Sequence, residues 1–76
     1  MKFPNENSMA ETYDQVVHRL SVQLDVEPKK VAAYIEKEYK RMGVGYYDND
    51  IAVAARIVSL YVRTRAVTKE DIEAVA

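Results

Sequence analysis

Residues 49–66 read N-D-I-A-V-A-A-R-I-V-S-L-Y-V-R-T-R-A. Between Ile51 and Val62 only Arg56 and Ser59 are polar. At about 100° per residue, Ala52, Arg56, Ser59 and Arg63 fall on one narrow stripe, and apolar side chains cover the rest of the cylinder. A helix that is apolar nearly all round has to be wrapped on several sides. The stretch therefore predicts a central helix over 49–66, hidden from water along most of its girth by its own chain and by a second copy.

The flanking segments supply the wrapping. Ser8-Met9-Ala10-Glu11 has the form of a capping box, in which Glu11 reaches back to the Ser8 amide. Met9, Tyr13, Val16, Val17, Leu20 and Leu24 then continue one helical face, so a first helix is expected over about 9–24. Val22 falls on its opposite side. Asp25-Val26-Glu27-Pro28 interrupts the pattern, because proline ends a helix but suits the first position of a new one. A second helix is expected over 28–42, with Val31, Tyr34, Ile35, Tyr39 and Met42 inward. Gly43 is placed to cap it, with Val44 as the hydrophobic contact that follows.

Asp48 or Asn49 is the expected N-cap of the central helix, with Asp48 and Asp50 suited to its positive end. After it, Thr68 with Asp71 forms a second capping box, and Val67 with Ile72 has the spacing of a hydrophobic staple. The short helix so predicted, 69–76, is too brief to stand alone and must dock through Ile72 and Val75. No segment has strand periodicity or a hairpin signal. The fold class is thus all-α: a compact bundle of three main helices plus a short C-terminal one. Residues 1–7 read as a flexible lead-in and 8–76 as one helical domain.

Composition narrows the classes of function. Apolar residues make up 49% of the 76 and charged residues 30%, which is an ordinary globular balance. A chain this short buries only roughly 60% of its unfolded surface, so modest stability is expected. There is no cysteine, hence no disulfide framework and no thiolate metal site. No apolar run reaches the roughly 18 residues that cross a bilayer, and M-K-F-P-N-E-N lacks the apolar centre of a signal peptide. The expectation is a soluble, cytoplasmic protein that does not engage a membrane.

Net charge is -1, but the charge is segregated. Residues 28–42 hold five bases (Lys29, Lys30, Lys37, Lys40, Arg41) against Glu36 and Glu38. Residues 56–69 hold Arg56, Arg63, Arg65 and Lys69 with no acid. The last seven residues hold three acids and no base.

Residues 16–35, V-V-H-R-L-S-V-Q-L-D-V-E-P-K-K-V-A-A-Y-I, resemble the helix-turn-helix pattern of DNA-binding regulators. Leu20, Leu24, Val26, Val31 and Tyr34 occupy its apolar places in order. The resemblance implies that 28–41 is the recognition helix, with Lys29, Lys30, Lys37, Lys40 and Arg41 as nucleic-acid contacts. Asp25 stands where the turn usually has glycine, and Glu27 where a small cap is usual. No Arg, Asn or Gln occupies the first turn of the second helix to read base edges. The end, A-V-T-K-E-D-I-E-A-V-A, is similar to the last loop and helix of histone-fold proteins. Their central helix is much longer than this one, and shared capping chemistry accounts for the likeness.

No constellation carries catalysis. His18 is the sole histidine, with no second base or nucleophile placed beside it. Asp48-Asn49-Asp50 lacks the glycine and distal glutamate of a calcium loop, and Gly43-Val44-Gly45 lacks the third glycine and preceding strand of a nucleotide loop. No enzyme, metal or cofactor is expected. Six of the seven aromatics are tyrosine. Tyr13, Tyr34, Tyr39 and Tyr61 lie on apolar helical faces and fit the edge of a core. Tyr46 and Tyr47 lie in a loop, where tyrosine is typical of binding hot spots. The reading is a small non-catalytic interaction module for a protein partner or itself, forming a homodimer, with Tyr46 and Tyr47 as partner-binding residues. The alternative is a DNA-binding regulator using helix 28–42.

Overall fold

A computed structural model describes residues 11–42 and 50–75. It is all-helical: α1 spans Tyr13–Leu24, α2 Pro28–Met42, α3 Ile51–Arg63 and α4 Lys69–Glu73. The three longer helices pack on one another in every pairing, and α4 docks on α2. Among the described residues there is no strand, and no helix is long and apolar enough to cross a membrane.

α1 begins at Tyr13 rather than Met9, because Thr12 is its N-cap. The Thr12 hydroxyl accepts from the Gln15 amide, and the Gln15 side chain accepts from the Thr12 amide at 2.8 Å, which closes a capping box four residues later than the expected one. Ser8 lies outside the described residues, as do Met9 and the lead-in. Val16 and Leu20 of α1 are fully buried, Tyr13, Val17 and Leu24 pack at the rim, and Val22 is 69% exposed, as its off-face position predicts.

The α1–α2 turn is built on Asp25, which adopts a left-handed conformation at φ 56°, ψ 52°. The Val26 amide reaches back to the Ser21 carbonyl and the Asp25 amide to the Val22 carbonyl, the hydrogen-bond pair of a Schellman motif. Val26, the next residue, drops into the core. Pro28 then opens α2 without forfeiting a bond, since its missing N–H is unpaired at that position anyway. Lys30 and Val31 donate their amides to Glu27 O, starting the ladder. Val31 and Ile35 are fully buried on the inner face.

Asp50, not Asp48 or Asn49, caps α3: its carboxylate accepts from the Ala52 amide at 2.9 Å. Residues 43–49, with the expected Gly43 cap, lie outside the described residues. α3 sends Ala54, Ala55, Val58, Ser59 and Val62 into the core. Two adjacent alanines let the neighbouring helices come close to its middle. The helix ends in a second Schellman turn, with Arg65 left-handed at φ 68° and the Ala66 amide donating to Tyr61 O at 2.8 Å. The chain then enters α4 through the predicted capping box of Thr68 and Asp71, and the staple residues Val67 and Ile72 are both buried.

The core is made of stiff, mid-sized side chains. Its largest fully buried members are Leu20, Ile35, Ile72, Val16, Val31 and Val58, and among the described residues no aromatic is buried. The described tyrosines stay at the edge. Every buried side-chain N or O among the described residues has a partner; Ser21, for example, donates to the His18 carbonyl at 2.7 Å.

Candidate interaction surface

α3 is covered on two sides, not nearly all round. Ile51, Val53 and Ile57 are half-buried, each touching the core with one flank, while Leu60 is 46% and Tyr61 38% exposed. At 100° per residue, Val53, Ile57, Leu60 and Tyr61 fall within about 100° of arc, turned away from the buried positions Ala55 and Val62. Their spacing of i, i+4, i+7 and i+8 is that of a helical docking stripe. The short α4 lies mainly on α2.

One edge of the stripe is polar and fixed. Arg19 of α1 donates through Nε and Nη2 to the two carboxylate oxygens of Glu11, at 2.7 and 3.0 Å. Its Nη2 also donates to Ser59 Oγ of α3 at 2.7 Å. Arg56 Nη1 donates to the Glu11 carbonyl at 2.6 Å. The Arg56–Ser59 part of the polar stripe read from the sequence is thus the seam where α3 meets the start of α1. The hydrogen bond and charge of Arg19, with a further pull from Arg56, hold the Glu11 carboxyl below its ordinary value, and Glu11 in turn raises Arg19. Beyond the seam, Arg63 and Arg65 are exposed and pair with no carboxylate among the described residues.

The basic face of α2 is less uniform than the sequence suggests. Lys29, Lys37, Lys40 and Arg41 are exposed. Lys30 is half-buried, and its Nζ donates to the carbonyls of Glu73 and Val75, both at 3.2 Å, so it fastens α4 to α2. Arg41 forms an ion pair with Glu38. Glu36 lies on the same face and meets the Tyr13 hydroxyl at 3.5 Å, at the outer limit of a hydrogen bond. Burial, reinforced by Glu36, raises the Tyr13 phenol, and burial with Glu38 and Asp71 raises that of Tyr34. Within residues 16–35, Leu20, Val26 and Val31 are buried, and Leu24 and Tyr34 pack against the core.

A groove of about 410 Å³ runs between the α1–α2 turn and the end of α4, lined by Asp25, Val26, Glu27, Lys30 and Glu73. The ammonium there is already engaged. His18 is exposed on α1. No group of three or more His, Cys, Asp or Glu is placed to hold a metal ion among the described residues. Tyr46 and Tyr47 lie outside the described residues. Tyr61 is expected from the sequence only at the edge of the core, and nothing in the pattern separates Leu60 from its apolar neighbours; its seven-residue spacing from Val53 is the signal that could mark it. No family model, curated protein or solved structure matches the chain.

Proposed function

We propose that the protein is a small non-catalytic interaction module that binds a protein surface, its own or another's, through the outer stripe of α3. The observation that carries this reading is the exposure of Leu60 and Tyr61 on the helix that otherwise supplies the middle of the core. Apolar side chains at contiguous helical positions mark contact sites more often than scattered ones do. Tyrosine suits such a site, since it offers a large apolar face with a hydroxyl for a rim hydrogen bond. The reading includes homodimerisation and places the protein's work in the cytoplasm.

The test is chemical-shift mapping on ¹⁵N-labelled protein, first across concentration and then with peptides or candidate partners. Perturbations clustering on Val53, Ile57, Leu60 and Tyr61 support the reading. A partner whose binding shifts another face and leaves α3 unchanged defeats it.

The second reading is DNA binding through α2, favoured by the exposure of Lys29, Lys37 and Lys40 along that helix. It requires affinity for duplex DNA that weakens steeply with salt, and loss of about one unit of salt slope per lysine removed. Absence of binding at low salt ends it.

A further inference from the structure

We infer that α2 meets nucleic acid broadside, along the sugar-phosphate backbone, and takes a duplex of any base sequence; this rests on the second reading above and names its ligand and mode of contact. With the buried Val31 and Ile35 as the inner face, Lys29, Ala33, Lys37 and Lys40 fall within about 80° of arc on the opposite side. The three lysines are exposed and span about 16 Å of helix. Ala33 between them is short enough to let a strand lie close. Glu36 borders the lysines, and its carboxylate meets the Tyr13 hydroxyl of α1.

These side chains suit phosphate better than bases. Lysine offers a compact point charge on a flexible stem. The face holds no arginine, asparagine or glutamine, the residues whose paired donors and acceptors read base edges in a groove. Arg41 lies to one side and is paired with Glu38.

The N-terminal end of α2 is unsuited to a groove. A recognition helix sends that end to the bases. Here Asp25, Glu27 and Glu73 line one groove at that end, and Lys30 in the same place is held by the carbonyls of Glu73 and Val75. All three acids are exposed. Inserting this end between two strands would set three carboxylates against phosphates. A broadside approach avoids them, and Lys37 and Lys40 stand furthest along the helix from the acids.

The number of contacts sets the salt dependence. Three phosphate contacts give a slope of about -2.7 in log affinity against log salt, or about a fortyfold loss between 50 and 200 mM. A regulator with six to ten contacts loses roughly a thousandfold or more over the same range.

The experiment is fluorescence anisotropy of the full chain with labelled DNA duplexes of equal length and unrelated sequence. Equal affinity for each duplex is expected, with the shallow slope above. Lys37→Gln and Lys40→Gln together should lower the slope by about two and weaken binding at low salt by at least about tenfold. Circular dichroism confirms that the variants keep their helices. Selection from a random duplex pool is run in parallel and should return no consensus. A pool that converges on one sequence, or a steep slope, overturns the inference and leaves DNA binding through α2 standing. No binding at low salt removes both, as does binding that the lysine variants leave unchanged. Vesicles with anionic phosphate headgroups form the last arm: binding to them and not to duplex makes the ligand a membrane surface and overturns the inference.

Discussion

Both oxygens of the Glu11 carboxylate accept from the single guanidinium of Arg19, eight residues further along the chain. The side-on pairing spans the first two turns of α1, and Arg19 extends it to Ser59 on α3. A local ion pair is thereby wired into a helix–helix contact. Its planar fork is what lysine at position 19 would not reproduce.

The pairing predicts an acid-sensitive share of stability. The ordinary value for the Glu11 carboxyl is 4.5, and folding lowers it. The folded state therefore favours the anion. That contribution is complete above the ordinary value and vanishes as falling pH passes through the lowered one. Glu11→Gln should cost about 1 kcal/mol in urea unfolding at neutral pH. The cost should disappear in acid, where wild type has lost the same interaction. An equal deficit at both pH values would show that the side chain acts by packing alone.

At the alkaline end the tyrosines set the trend. The Tyr13 and Tyr34 phenols are raised above 10.0, so folding favours their neutral forms. This stability is present below the ordinary value and is lost as pH rises through the raised ones. Tyr13→Phe and Tyr34→Phe should each flatten the decline of the melting temperature at high pH. Ultraviolet absorbance at the phenolate band reads the titration directly, and ionisation of both groups at the ordinary value would refute the prediction.

Two helix ends use a left-handed residue that is not glycine, Asp25 and Arg65. A Cβ costs free energy in that conformation, less for aspartate than for most. Arg65→Gly should stabilise the fold by about 0.5–1 kcal/mol, with a smaller gain for Asp25→Gly. Arg65→Val should destabilise it, because a β-branched residue is least tolerated there. Chemical denaturation of the three variants ranks them.

The centre of α3 should reject bulk. Ala54 and Ala55 are both fully buried. Ala55→Leu inserts three carbons where helices already touch, and overpacking of this sort costs about 1–3 kcal/mol or more. In a domain whose total stability is only several kcal/mol, that is enough to populate the unfolded chain at room temperature. Leu60→Ala on the same helix should be nearly neutral in thermal melts, since Leu60 is half in water.

Where the sequence was legible, local chemistry and the fold agree. Pro28 fixes the start of α2, and Thr68, Asp71, Val67 and Ile72 fix the approach to α4, because each signal acts through its own backbone. The start of α1 was misread for a non-local reason. Two boxes, Ser8 to Glu11 and Thr12 to Gln15, lie four residues apart in the same helical phase. The choice depends on Arg19 and Arg56, which claim Glu11 from a distance. Asp48, Asn49 and Asp50 are likewise all competent caps, and residue type does not rank them. That Leu60 and Tyr61 stay exposed on α3 is not written in the periodicity. Periodicity shows that a helix is apolar all round; which sides its neighbours cover depends on how the other helices pack.

Lys30 gives one nitrogen atom unusual leverage. Its ammonium holds the carbonyls of Glu73 and Val75, and with them the far end of the chain's last helix. Acylation of that amine would leave its length intact while erasing its charge and all but one of its N–H donors. A covalent change too small to disturb the core would thus loosen the end of α4, while Ile72 keeps the helix docked. The same chemistry on the exposed neighbour Lys29 would release nothing.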